Sequence, residues 1–261
     1  MNIELSENCE TVVEWMSDNE LCLNIDKTHL IVGGTSQRIV QATKEQSFNV
    51  LINGIQLSES IDKSEKMLGV VFQSDLKWNK HIIDLQKRLK DRLAGLRQLQ
   101  YVISISHLKV VAESIFLSIL TYCIAVWGGA GKGDIENLQV LQNQAARIIL
   151  RQNYRANRRT MFNRLSWLTV NQLITYHRIL SVYKVRRHKE PEYLYSFLSR
   201  DNVRGNVIIS HTGLSLLKKS FVCNGAELWN SVPINIRRLE TVPQFKKAIR
   251  KWIVENIPMF Q

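Results

Sequence analysis

Ile82, Leu85, Leu89, Leu93, Leu96, Leu99 and Ile103 follow one another at steps of three and four residues. That spacing is one face of an α-helix, and it predicts an amphipathic helix of about five or six turns. A strand turns its faces every second residue and cannot bury such a stripe, so the middle of the chain is committed to helix packing. The pattern continues downstream. Ser106 is placed to cap a second, strongly apolar helix that runs to Trp127 and is stopped by Gly128, Gly129 and Gly131. Asp134 is placed to cap a third, with Ile135, Leu138, Leu141, Ala145 and Ile148 on one face. A fourth carries Leu173, Tyr176, Leu180 and Tyr183, and Pro191 marks a boundary. A loop is expected around Leu228–Pro233 and a last helix from about Val242 to Val254.

The first 75 residues read differently. Val12, Val13 and Met16, with Trp15 beside them, predict one helix that breaks at Asn19-Glu20. Leu21, Leu23 and Ile25 alternate with polar residues and His29–Val32 ends at Gly33-Gly34, which predicts two short strands around a turn. Val50–Ile52 and Ile55–Leu57 flank Asn53-Gly54, a dipeptide suited to the positive dihedrals of a tight hairpin. Met67–Phe72 is a further apolar run containing Gly69. The fold class is therefore α+β: a small N-terminal α/β segment, 1–75, short of material for a complete sheet core, then a helical region, 76–190, and a helical C-terminal extension, 191–261.

Charge separates the same two regions. Residues 1–65 hold four Lys/Arg against eleven Asp/Glu, a net of −7, and the remainder hold thirty-one against twelve, a net of +19. A split of that size points to a polyanion, nucleic acid first, facing the basic half. The four cysteines, Cys9, Cys22, Cys123 and Cys223, form no Cys-x-x-Cys pair, so reduced and mostly buried thiols are expected rather than a zinc ribbon. The start is acidic, with no signal-peptide pattern, and the apolar stretch Ser114–Trp127 is too short for a bilayer. A soluble intracellular chain with no membrane partner is expected.

Catalytic motifs are missing from the sequence. There is no phosphate-binding loop, no dinucleotide fingerprint and no nucleophile elbow. The six histidines form no His-Glu-x-x-His pair, no two acidic residues adjoin as Asp-Asp, and His81 with Asp84 reads as a solvated helix surface; no metal site is expected. The basic residues are better organised. Arg147 and Arg151 lie four apart on the third helix and, if that helix continues, Arg155 and Arg158 extend the row, with Tyr154 interleaved and Arg159 and Arg164 following. Rows of guanidinium groups suit phosphate oxygens. Lys184, Arg186, Arg187, His188 and Lys189 form a second cluster. A solvated helix face is the competing reading for both.

Four blocks in order carry a resemblance. They are Trp15, Asn19–Leu21 and Leu23–Thr28; Lys66–Val70 with Asp75–Trp78 and His81-Ile82; Tyr122, Trp127-Gly128, Leu141-Gln142 and Ala146-Arg147; and Leu228–Pro233 with Phe245-Lys246. Together they resemble the reverse transcriptases of non-LTR retrotransposons, of the insect jockey-like kind, from the end of the palm through the thumb to the C-terminus. The resemblance implies a palm remnant over 1–75 and a thumb-like domain over 76–190 that holds template–primer. It implies RNA, DNA or an RNA–DNA hybrid as partner, and action in the nucleus. Lys27 would fall in the palm motif whose lysine helps protonate pyrophosphate, against the alternative of a structural turn lysine. Leu68 and Gly69 would sit in the primer-grip region, against the alternative of a simple strand bend. The basic residues Arg147, Arg151, Arg155, Arg158, Arg159, Lys184, Arg186 and Arg187 would contact nucleic acid.

One departure qualifies that reading. The family places an aromatic-Ala-Asp-Asp motif before the Trp15 block, and no aspartate precedes Trp15 here. The expectation is a C-terminal fragment of an RNA-directed DNA polymerase, inactive alone, its N-terminal polymerase part missing. It would have no cofactor of its own, Mg²⁺ belonging to the complete enzyme. The alternative is a domesticated, non-enzymatic adaptor for nucleic acid or protein.

Overall fold

The computed structural model describes residues 2–45, 50–57, 63–209 and 218–260, and the chain divides into two compact units, Met1–His81 and Ile82–Gln261. His211 lies outside the described residues.

In the first unit α1 (Asn2–Asp18) ends where the sequence breaks. Glu20 takes a left-handed φ of 57°, and the Leu21 N–H reaches back to the Met16 carbonyl at 2.8 Å, closing the helix without glycine. The two strands expected over Leu21–Val32 are replaced by a 3₁₀ turn at Ile25–Lys27. The Asn24 side chain accepts the Lys27 N–H there, a local bond that wins over strand pairing. A helix the sequence reading missed, α2 (Ser36–Glu45), follows. The hairpin of β1 (Leu51–Ile52) and β2 (Ile55–Gln56) turns on Asn53-Gly54 as expected, with φ of 51° and 75°. A second hairpin pairs β3 (Ser64–Met67) with β4 (Val70–Gln73), and its two-residue turn is Leu68-Gly69, with φ of 48° and 83°. Val50, Ile52 and Leu57 form a small core under Cys9, Val13, Leu23, Ile25 and Leu30. Two separate two-stranded sheets beside helices make this the β portion of an α+β chain, as the sequence predicts.

The second unit is helical. The stripe from Ile82 to Leu96 lies on α3 (Asn79–Leu99), and Ile82, Leu85, Leu89, Leu93 and Leu96 are all buried. The cap of the next helix is Ser104, not Ser106: its hydroxyl accepts the His107 N–H. That helix is not continuous to Trp127 either. α4 (Ile105–Ala112) passes through a π-helical turn at Glu113–Leu117 into α5 (Ser118–Thr121), breaks at Cys123 with a φ of 50°, and resumes as α6 (Ile124–Trp127). α7 (Lys132–Leu150) starts two residues before Asp134, which therefore sits in the first turn, and Gly131 stands at the cap. Asn157 caps α8 (Arg158–Leu165).

α9 (Val170–His188) opens with a capping box of Thr169 and Gln172 and is buried nearly all round. It packs against α6, α7, α10 (Glu192–Leu198), α11 (Phe221–Ser231) and α13 (Val242–Asn256). The residues read as an extension, 191–261, thus pack on α9 inside the second unit. The loop expected over Leu228–Pro233 is largely helix, since Trp229 is buried against Tyr183 and Phe245 and needs the helical register of α11 to reach them. Between α11 and α13 lies the short α12 (Ile234–Arg237). All four cysteines are free, but none is fully buried, and Cys22 and Cys123 are exposed.

Arg178, only 3% exposed on α9, joins three neighbours. Its Nε donates to the Ala125 carbonyl at 3.1 Å, Nη1 to Asn224 Oδ1, and Nη2 to the Lys219 carbonyl at 3.3 Å. Hydrogen bonds to a charged group are worth about 1.5–3 kcal/mol each. Arg178→Ala should therefore lower the stability of the folded chain by about 3 kcal/mol or more, read from urea midpoints, and Arg178→Lys should recover only part of it. An unchanged midpoint in Arg178→Ala would mean the three acceptors are satisfied equally well by water.

Candidate nucleic-acid interface

The arginine row does not continue as a helix. α7 ends at Leu150, and Arg151 caps it in the left-handed region with a φ of 52°. Its N–H bonds back to the Ile148 carbonyl, and that of Gln152 to the Arg147 carbonyl at 2.9 Å. The chain then turns before Asn157 starts α8. An unbroken helix would have carried Arg155 and Arg158 further along the same line. The reversal folds them back beside Arg147 instead.

Two adjoining depressions result, with Arg147 lining both. One, of about 480 Å³, is lined among others by Arg97, Tyr101, Arg147 and Arg151. The other, of about 560 Å³, is lined by Arg147, Tyr154, Arg155, Arg158, Arg159 and Phe260. Among the described residues no acidic side chain lines either. Several of the guanidinium groups are held in place. Arg151 Nη2 donates to the Ile103 carbonyl at 2.9 Å, fixing the group to the turn between α3 and α4. Arg155 Nε donates to the Tyr154 hydroxyl at 2.9 Å, with its guanidinium 5.4 Å from that ring centre. The Arg158 guanidinium lies 4.7 Å from the centre of Phe260, which packs edge-on against the buried Phe162. Cation–π contacts at exposed sites contribute about 0.5–1 kcal/mol, enough to bias a side chain without consuming its donors. The Nε of Arg147 is buried with no acceptor among the described residues.

The remaining sequence candidates lie elsewhere. Arg186 is taken up by Asp201, at 2.7 Å, and by the Leu198 carbonyl, while Lys184 and Arg187 are exposed on the last turns of α9. In the first unit Lys27 is exposed at the end of the 3₁₀ turn, and Leu68, 86% exposed, stands at the tip of the β3–β4 hairpin. His81 is buried rather than solvated, its Nδ1 accepting the Val71 N–H at 3.3 Å. Sequence reasoning missed Arg97, Tyr101 and Phe260. Arg97 could have been found as the basic residue one step past Leu96 on α3; nothing in the sequence announced Phe260. Among the described residues no group of three or more His, Cys, Asp or Glu side chains could hold a metal ion. What these surfaces can do chemically is donate in-plane, permanently charged hydrogen bonds to oxyanions.

Comparison with known proteins follows the same line. The chain is 27% identical over 127 residues to the probable RNA-directed DNA polymerase from transposon X-element of Drosophila melanogaster. It is 29% identical over 126 residues to the probable RNA-directed DNA polymerase from transposon BS of the same fly. The matches cover 48% and 47% of this chain but 14% of each relative, so the matched half of the chain spans only about a seventh of the curated relatives. The resemblance to retrotransposon reverse transcriptases read from the four sequence blocks is thus borne out. No family model and no solved structure matches the chain.

A left-handed backbone at a residue with a side chain costs roughly 1–2 kcal/mol that glycine avoids. Arg151→Gly should therefore melt above Arg151→Ala, although both lose the bond to Ile103. Equal melting temperatures would mean that Arg151 is not the residue that terminates α7.

Proposed function

We propose that this chain is a C-terminal portion of a transposon-encoded RNA-directed DNA polymerase, and that its helical unit holds nucleic acid through phosphate contacts from Arg147, Arg151, Arg155, Arg158 and Arg159. The observation that carries the reading is the convergence of these arginines, with Arg97, on two adjoining depressions that no acidic side chain of the described residues lines. The similarity to the two fly polymerases supports nucleic acid as the polyanion. In the complete enzyme Lys27 would serve as the acid that protonates pyrophosphate, and the Leu68-Gly69 turn would approach the primer. Mg²⁺, which the resemblance implies for the complete enzyme, finds no set of ligands among the described residues, so no step of this reading passes through it.

Phosphate contacts contribute affinity with little dependence on sequence. Binding of the chain to an RNA–DNA hybrid should weaken with salt by a log–log slope of about 0.9 for each phosphate neutralised on B-form duplex. Changing Arg147 and Arg151 to Ala should reduce that slope by up to about two units on unrelated sequences alike, with Arg38→Ala as control. An unchanged slope in the folded double variant would reduce the depressions to solvated surface.

The same chain, purified, should not extend a primer on an RNA template with Mg²⁺ or Mn²⁺. Template-dependent incorporation above a mock preparation would overturn its assignment as a non-polymerising portion.

A further inference from the structure

The C-terminal helices shape another depression, of about 390 Å³, that shares no lining residue with the two around Arg147. The last turns of α9 bring Arg186 and Arg187 to it, and Arg237 and Arg238 come from the end of α12. Among the described residues Asp201 is the one acidic side chain in the lining, and Arg186 occupies both of its oxygens, at 2.9 and 2.7 Å. Arg186 is further fixed by the Leu198 carbonyl and lies 5.5 Å from the centre of the Trp229 ring. Three further guanidinium groups surround the depression, and beyond Asp201, whose oxygens Arg186 occupies, no carboxylate of the described residues lines it.

Arg237 is the least exposed of the three. Its Nη1 donates to the Gly205 carbonyl at 2.9 Å, but its Nε is buried with no acceptor among the described residues. Burial first, then the charge of Arg186, pull its pKa below the usual arginine value, and Asp201 opposes them only in part. A buried donor without an acceptor, inside a ring of like charge, is the arrangement an oxyanion relieves on both counts.

We propose that this depression is a binding site for a phosphate group, with Arg187, Arg237 and Arg238 supplying the donors and the Arg186–Asp201 pair fixing the floor. The surplus of three positive charges favours a multiply charged phosphate over a carboxylate, which brings one charge and two oxygens. Trp229, only 4% exposed, offers no open ring face for stacking, so the site recognises the phosphate and is indifferent to a base. A nucleic-acid strand and a free phosphate compound share this chemistry.

The test uses the full chain, pyrophosphate and calorimetry at constant ionic strength. One saturable site is expected, weakened at least tenfold by the exposed pair Arg187→Ala/Arg238→Ala with the melting temperature unchanged, and retained in Arg155→Ala/Arg158→Ala. Arg187→Ala alone carries the comparison if the pair melts early. A 5′-phosphorylated oligothymidylate and its unphosphorylated twin then separate the sources. Competition by the phosphorylated strand alone assigns a terminal phosphate, competition by both an internal phosphodiester, and by neither a free phosphate compound; each keeps the phosphate site. No saturable binding, equal affinity in the folded Arg187 variants, or loss in the Arg155/Arg158 variant instead would overturn it. Because the proposed nucleic-acid contacts lie in the Arg147-centred depressions, their failure and the failure of this site are read on different variants.

Discussion

A charged guanidinium in the interior, with no carboxylate of the described residues beside it, is the constraint around which the helical unit is arranged. Burial pulls the Arg178 pKa down to about 10, which still leaves the group charged near neutrality. A buried charge persists only where the protein replaces its water, and here backbone and amide oxygens do so. They come from three stretches: α6, the residues leading into α11, and α11 itself. Those stretches have to approach α9 closely, and Gly128 and Gly129 permit it. A Cβ at Gly128 would meet the Ile124 carbonyl at 2.6 Å and Ile174 at 2.7 Å; one at Gly129 would meet the Lys219 carbonyl at 2.8 Å. Other polar groups of the core are satisfied in the same way, Gln142 Nε2 donating to the Leu168 carbonyl and Gln172 Nε2 to that of Ile257.

A core of this kind fixes the ends of its helices, and the arginines around Arg147 stand at those ends. Arg151 closes α7 while Arg158 and Arg159 open α8, a helix with no acidic residue in its first turn. The start of a helix carries partial positive charge, so two guanidinium groups there add to a field of their own sign. Such an arrangement is disfavoured by itself and is relieved by an anion. The same logic distinguishes Arg186, which has found its anion in Asp201, from Arg187 and Arg238 next to it.

Periodicity made the helices legible. The stripe on α3 and the apolar faces of α7 and α13 lie where three- and four-residue spacing puts them, and Asn53-Gly54 turns the first hairpin. What failed to show was set by local chemistry that periodicity does not encode. Ser104 and Ser106 are equally good caps in sequence, and their hydroxyls lie 2.9 Å apart; the His107 N–H selects Ser104. Leu21–Ile25 alternates like a strand, but Asn24 bonds its own turn. Leu68-Gly69 lacks the Asn-Gly form and so passed as part of an apolar run, although it turns a hairpin by the same pair of positive φ values. Spacing along a continued third helix picks out the arginines of the candidate interface, but α7 stops at Leu150. They converge because Arg151 breaks it, which explains why Arg97 and Phe260, from distant parts of the chain, were not seen.

The excess of basic residues in the second unit overstates the number that can touch a ligand. Arg178, Arg186, Arg237 and Arg250 each donate to a backbone carbonyl, and Arg151 does so at Ile103. A carbonyl does not neutralise a guanidinium, however, so these groups keep their charge while part of their donor capacity is used. They still contribute to the field around the unit, within a screening length of about 8 Å at physiological salt. Direct contacts fall to side chains with donors left over: Arg158, whose aromatic neighbour holds its plane without occupying its N–H groups, and Arg151 and Arg237, each of which gives one nitrogen to a carbonyl. Structural and contacting arginines thus differ in how much hydrogen-bonding capacity remains, not in charge. For that reason residue counts locate the basic unit, and only the folded chain distinguishes the arginines that attract a polyanion from those placed to grip it.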